Sequence, residues 1–311
     1  MVTLQIGIIG LGRMGANMAH RLARNGVQVL GVDPDPAAVA AFTAQPGCSS
    51  ADTIEALVHA LTAPRVVWLM VPAGERTDAV IAELQPRLLA EDVIVDGGNA
   101  YYKDSVRRAV ELASYGIRFV DCGVSGGVWG LENGYALMFG GSPAAVRVVE
   151  PLMKILAPAP DKGWLHCGAS GSGHFVKMIH NGIEYGMMQS LAEGFALMRA
   201  KDEFALDVAA VAEMWRHGSV VRSWLLDLTA DFLGEDADLD AIAPVVADSG
   251  EGRWTVDEAL KLGVPAPVLT LALYARFASQ GKGDYADKLL AMMRKGFGGH
   301  KVTKGTAGSG K

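Results

Sequence analysis

Hydrophobic residues follow two different rhythms along this chain. In the first part, short apolar runs alternate with amphipathic stretches. Leu4–Ile9, Val27–Val32, Val66–Val71, Val93–Asp96, Ile117–Cys122, Ala136–Gly140 and Trp164–Cys167 read as strands. Helices are predicted from Ala16 to Asn25, after Glu75, and from Pro143 to Leu156. This alternation predicts an α/β fold with a Rossmann-type doubly wound sheet. From Gly171 the strand signal fades. Helices are predicted over 171–200, 206–217, 220–233, 254–263, 267–281 and 284–296, with loops at Asp236–Pro244 and Asp248–Gly252. The chain therefore reads as a Rossmann-type domain over 1–168 and an all-helical C-terminal domain over 169–311. The glycine-rich, basic tail after Phe297 is expected to end in mobile residues.

The first strand runs into Gly10-Leu-Gly-Arg-Met-Gly15, a helix follows, and the second strand ends at Asp33. A GxGxxG alone is a weak signal. Between a strand and a helix, with an acidic residue closing the next strand, it matches a dinucleotide-binding unit. Gly10 then makes the tight turn, Gly12 lets the backbone approach a pyrophosphate, and Gly15 lets the helix pack on the sheet. The helix N-terminus offers its free N–H groups to the phosphates. Asp33 is placed to accept hydrogen bonds from an adenine ribose and to repel a 2′-phosphate, and no Arg or Lys follows it before Arg65. The expected cofactor is therefore NAD; the other reading of Asp33 is a cap of its own turn with Pro34.

Further small and polar residues collect at strand ends: Ala73 and Gly74, then Asn99, then Ser125, Gly126 and Gly127. In open α/β sheets that is where ligands lie. Along 171–200 the polar residues Lys177, His180, Asn181 and Glu184 fall on one helical face. At about 1.5 Å rise per residue, Lys177 and Glu184 stand roughly 10 Å apart, room for a small polyhydroxy acid between an ammonium and a carboxyl. A solvated face would also hold such residues, but here four different polar groups share one stripe beside Gly182.

Composition narrows the choices. With 34 acidic against 28 basic residues, the net charge of −6 argues against nonspecific nucleic-acid binding. No apolar run is long enough to span a membrane, and MVTLQIGIIG enters a strand without a leader-like region. Cys48, Cys122 and Cys167 lack CxxC spacing and read as reduced thiols of a cytoplasmic protein. No His/Cys set is spaced for zinc, so no metal is expected.

GLGRMG at 10–15, VPAG at 71–74, VSGG at 124–127 and GSG ahead of Lys177 resemble the β-hydroxyacid dehydrogenases. DGGN at 96–99, HFVKMIHNGIEYG at 174–186 and RKGFGGH at 294–300 narrow the resemblance to the 6-phosphogluconate dehydrogenase family, in a short form. The resemblance implies oxidative decarboxylation of 6-phosphogluconate, within the pentose phosphate pathway or gluconate utilisation. Lys177 resembles the base that takes the C3 hydroxyl proton, and Glu184 the acid that protonates C1 after carbon dioxide leaves. Asn99, Ser125, Gly126, Gly127, His180 and Asn181 correspond to residues that hold the sugar acid. Tyr185, Arg276, Arg294 and His300 correspond to the phosphate grip, the last two coming from a neighbouring subunit of a homodimer or homotetramer. Gly10, Leu11, Gly12, Arg13, Met14, Gly15, Asp33, Val71, Pro72, Ala73 and Asn99 correspond to the cofactor site. One loop departs from the pattern: Ser249 and Glu251 stand where many members place a phosphate-binding Lys and Thr. Two other readings remain at this point, a dehydrogenase for a different sugar acid and a noncatalytic cofactor sensor.

Overall fold

The computed structural model describes residues 4–303; the first three residues of the N-terminal run and the end of the tail lie outside them. The first part of the chain alternates as β1 (Gln5–Ile9), α1 (Arg13–Arg24), β2 (Gln28–Val32), α2 (Pro36–Thr43), β3 (Cys48–Ser50), α3 (Ile54–Ala60), β4 (Val66–Leu69), α4 (Glu75–Leu84), β5 (Val93–Asp96), α5 (Tyr102–Ala113) and β6 (Arg118–Ser125). It continues with α6 (Gly130–Asn133), β7 (Ala136–Gly141), α7 (Pro143–Leu156) and β8 (Trp164–Gly168). The eight strands form one sheet in the order β3-β2-β1-β4-β5-β6-β7-β8. All neighbouring pairs are parallel except β6 with β7. The doubly wound fold read from the sequence is thus present. Its order reverses between β1 and β4, and the loops after those strands flank the resulting crevice.

Strands β4 and β5 are buried along their whole length, as expected where helices cover both faces of a parallel sheet. One apolar layer unites Ile6, Ile8, Met18, Leu22 and Phe42 with Val149 and Leu152 of α7. The other lies under α3 and α4 and includes Leu57, Leu69, Leu84 and Phe119.

After β8 the chain is helical: α8 (Ser172–Arg199), α9 (Val208–Trp215), α10 (Trp224–Glu235), α11 (Glu251–Leu262), α12 (Pro267–Ser279) and α13 (Asp284–Gly298). Two compact units result, one ending at His180 and one beginning at Asn181, with α8 contributing to both. Two expectations are corrected. Helix α10 starts at Trp224 rather than residue 220, because the Ser223 hydroxyl accepts the Leu226 N–H and caps it there. Helix α11 starts at Glu251, inside the stretch read as a loop. Gly250, at φ 105°, turns the chain, and Trp254 N–H already donates to the Gly250 carbonyl. Among the described residues no helix is long and apolar enough to cross a membrane, and the three cysteines are unpaired.

Candidate active site

The glycine turn after β1 has the shape its sequence suggests. Gly10 adopts φ 98°, and a Cβ on Gly15 would sit 2.0 Å from the Gly10 carbonyl oxygen. Gly12 faces open space. Helix α1 has no side-chain cap and no acidic residue in its first turn, so its N-terminal dipole stays available to an anion. Asp33 takes the Leu11 N–H on one carboxylate oxygen at 2.6 Å and the Asp35 N–H on the other at 2.8 Å. It therefore caps its own turn and fastens the glycine loop at once. Each oxygen keeps a further acceptor position. This cradle fits a dinucleotide: close backbone, an uncapped helix end and a fixed carboxylate at the end of β2.

The loops after β4 and β5 share one tie. Arg108 of α5 is 1% exposed and donates to the Asp96 carboxylate (3.0 Å), the Asp78 carboxylate (2.8 Å) and the Gly74 carbonyl (3.3 Å). Asp96 also receives the Gly98 N–H at 3.1 Å. One guanidinium thus holds Pro72-Ala-Gly74 and Gly97-Gly-Asn99 in fixed shape, with Pro72, Ala73 and Asn99 exposed at their tips. Burial alone would raise the Asp78 carboxyl, but hydrogen bonds from Arg108 and Arg107 outweigh it and hold it below the usual carboxylate range.

Alternate residues of β6 then meet successive turns of α8. The fully buried Asp121 carboxylate accepts the N–H groups of Gly171 (2.6 Å) and His174 (2.8 Å) and so fixes where α8 begins. Burial pushes this carboxyl up; His174 and the two N–H groups pull the other way. His174, also buried, has Nδ1 2.7 Å from Ser105 Oγ of α5. Two residues along β6, a Cβ on Gly123 would lie 2.3 Å from Lys177 Cβ. Two further, Ser125 Oγ is 3.2 Å from His180 Nε2. Residues 121, 123 and 125 point to one face of the strand, and 174, 177 and 180 follow one stripe of the helix. Gly126 and Gly127 lie just beyond, both with positive φ.

In the helical unit, α8 carries Asn181, Glu184 and Tyr185. The Arg276 guanidinium of α12 lies 3.5 Å from the centre of the Tyr185 ring, and Arg276 Nη1 donates to the Ala247 carbonyl at 2.7 Å. Arg294 is exposed on α13, and His300 is exposed just past its end. Arg253, near the divergent loop, is paired with Asp248 and stacks over Phe277.

Comparison with known proteins agrees with this geometry. Residues 5–168 match the family model described as the NAD binding domain of 6-phosphogluconate dehydrogenase. Residues 173–304 match the C-terminal domain of the same enzyme. The chain belongs to the 6-phosphogluconate dehydrogenase family. It is 43% identical to the NAD(+)-dependent, decarboxylating 6-phosphogluconate dehydrogenase of Haloferax volcanii, over 97% of this chain and 99% of that one. It is 38% identical to the NADP(+)-dependent decarboxylating enzyme of Bacillus subtilis, over 90% of this chain but 62% of the longer relative. The solved 6-phosphogluconate dehydrogenase of Plasmodium falciparum superposes with a TM-score of 0.84 at 28% identity, covering 98% of this chain and 67% of that one.

Four supporting residues escape a reading of the sequence alone. Asp121, Gly123 and Arg108 carry no motif of their own, and Asp96 is visible only as the first letter of DGGN. Gly123 gives the sharpest test. Gly123→Ala pushes the Lys177 stem off the strand, and kcat is expected to fall about a hundredfold, as displacements near 1 Å do. Cofactor affinity, measured by fluorescence titration, should stay within about threefold, because the added methyl lies away from the glycine turn. An alanine variant with native kcat would show that Lys177 does not depend on this approach.

Proposed function

We propose that this chain catalyses the oxidative decarboxylation of 6-phosphogluconate to ribulose 5-phosphate and carbon dioxide, with NAD as its preferred oxidant. Residues 1–168 hold the cofactor, and 169–311 serve the substrate and self-association. The observation that carries this reading is helix α8. It presents Lys177, His180, Asn181 and Glu184 from one continuous element, with Ser125 against His180 and Gly123 beneath the Lys177 stem.

The bound cofactor supplies a hydride acceptor for C3. Gly10–Gly15, Asp33, Val71–Ala73 and Asn99 hold it. Lys177, as a neutral amine, takes the proton of the C3 hydroxyl during oxidation. The product is a β-keto acid, and the Lys177 ammonium polarises its ketone oxygen, so that the C1–C2 electron pair is accepted as carbon dioxide leaves. Glu184 then protonates the resulting enediol at the former C2, which becomes C1 of ribulose 5-phosphate. Asn99, Ser125, Gly126, Gly127, His180 and Asn181 hold the hydroxyl-bearing chain. Tyr185 and Arg276 hold the phosphate end, joined by Arg294 and His300 of a second copy.

The deciding assay supplies 6-phosphogluconate and oxidised cofactor and follows reduced cofactor and carbon dioxide together. Both should appear in equal amounts with the unmodified protein. Lys177→Met should abolish hydride transfer while leaving cofactor binding intact. Glu184→Gln should lower turnover by roughly 10²–10⁴, the usual range for one acid–base group. Reduction without carbon dioxide moves the reading to a dehydrogenase of another sugar acid, and neither signal points to a cofactor sensor.

The NAD preference is supported by Asp33. Its carboxylate, already fixed by two backbone N–H groups, retains acceptor positions for ribose hydroxyls and presents negative charge to a 2′-phosphate. The expected preference for NAD is roughly tenfold to a thousandfold, where each 1.4 kcal/mol is a factor of ten. Asp33→Ser should weaken NAD and narrow that ratio. A higher kcat/KM with NADP than with NAD in the unmodified protein would remove the assignment.

Self-association is supported by the surface of the helical unit. An open apolar pocket of about 600 Å³ there is lined by Met187, Leu191, Phe195, Trp215 and Val220. Val220 is 100% exposed, and Leu197 and Leu260 are 74% and 76% exposed. We expect a dimer or tetramer whose phosphate sites are shared. Mixing inactive Lys177→Met with inactive Arg294→Ala subunits should restore part of the activity. A fully active monomer in sedimentation would exclude this arrangement.

A further inference from the structure

The loop between α10 and α11 is fastened at almost every residue near its end. The Ser279 hydroxyl accepts the Val246 N–H at 3.0 Å, Gln280 donates to the Val246 carbonyl at 2.8 Å, and Arg276 donates to the Ala247 carbonyl at 2.7 Å. Asp248 receives the Gly250 N–H at 3.1 Å and pairs with Arg253. Burial alone would raise the Asp248 carboxyl; the Arg253 and Gly250 hydrogen bonds outweigh it and lower it. The charge of Arg253, in the first turn of α11, is therefore paired with the loop carboxylate of Asp248.

The remaining residues form a directed chain. Glu251 is 2% exposed, and its carboxylate takes the hydrogen of the Ser249 hydroxyl. A serine hydroxyl has one hydrogen to give. Ser249 Oγ lies 3.1 Å from the Tyr185 phenol oxygen, so it accepts the phenol hydrogen there. The phenol oxygen in turn accepts the Ser249 N–H at 3.4 Å. The single hydrogen of Tyr185 thus points inward, toward Ser249. What Tyr185 presents is its ring, over which Arg276 lies at 3.5 Å.

We propose that Ser249 and Glu251 are positioning residues for anion recognition, locking Tyr185 as the platform that holds Arg276 ready for the phosphate ester of the substrate. This inference rests on the function proposed above. On this account the Glu251 carboxylate does not meet the phosphate; it is buried and turned onto Ser249. Tyr185 serves through its face rather than through its hydroxyl.

The test uses the full chain with Ser249→Ala, Glu251→Ala, Glu251→Gln and the Ser249→Ala/Glu251→Ala double variant. Each alanine variant is expected to raise the KM for 6-phosphogluconate about tenfold, with the KM for NAD and kcat close to native. The double variant should be no worse than the poorer single one, because both act through one chain. Glu251→Gln keeps an acceptor oxygen for Ser249 and should return the KM to within about threefold of native. A KM that falls in both Glu251 variants would mean that the carboxylate repels the phosphate, and would overturn the proposal. So would additive single effects, or parallel loss of NAD affinity and melting temperature. Calorimetric titration of all variants with inorganic phosphate separates the two levels of inference. If the unmodified protein turns over no 6-phosphogluconate, the functional reading fails, yet weaker phosphate binding in Glu251→Ala, rescued in Glu251→Gln, still supports the positioning role. Equal phosphate binding in all variants, or none in the unmodified protein, rejects it.

Discussion

The register between β6 and α8 is the constraint on which the site depends. Asp121 sets it by accepting two N–H groups at the start of the helix, bonds to a charged group each worth about 1.5–3 kcal/mol. Once the helix start is pinned, the positions of the later residues follow from helical geometry. Gly123 admits the stem of Lys177 and Ser125 reaches His180 because both stand on the same face of β6 as Asp121. A long helix held this way gives its polar residues a precision that loops rarely reach.

Buried charge does the corresponding work for the loops. Arg108 and Asp96 are each 1% exposed, an arrangement that is expensive unless every donor and acceptor is matched. Here the guanidinium reaches two carboxylates and a carbonyl, and it joins the ends of β4 and β5 to α4 and α5. Glu251 repeats the principle in the helical unit, where its carboxylate ends a chain that runs from Tyr185 through Ser249. In both places a charged side chain acts through what it holds still.

Asp33 caps its own turn and still leaves room for the ligand contact that looks like the alternative in sequence. By sequence alone, capping its own turn and facing a ribose are competing roles for Asp33. A carboxylate has more acceptor positions than the two backbone N–H groups occupy, so the cap and the ligand contact are compatible. The cap also ties β2 to the glycine loop through Leu11.

The sequence by itself determined the strand–helix rhythm, the glycine turn and the polar stripe on α8, because each is local and periodic. Buried strands such as Val66–Leu69, and β5 up to its closing Asp96, stand out as apolar runs. Elements without such contrast were not legible. Strand β3 is a short, partly exposed edge, and α2 is dominated by alanine with little amphipathic signal. Helix α5 buries Ser105 and Arg108 beside Leu112, so its inward face does not look apolar. Only the tertiary structure decided what Asp121, Gly123, Arg108 and Glu251 do. Their partners lie far away in sequence or depend on the direction of hydrogen bonds, and neither a motif nor a period encodes such a relation.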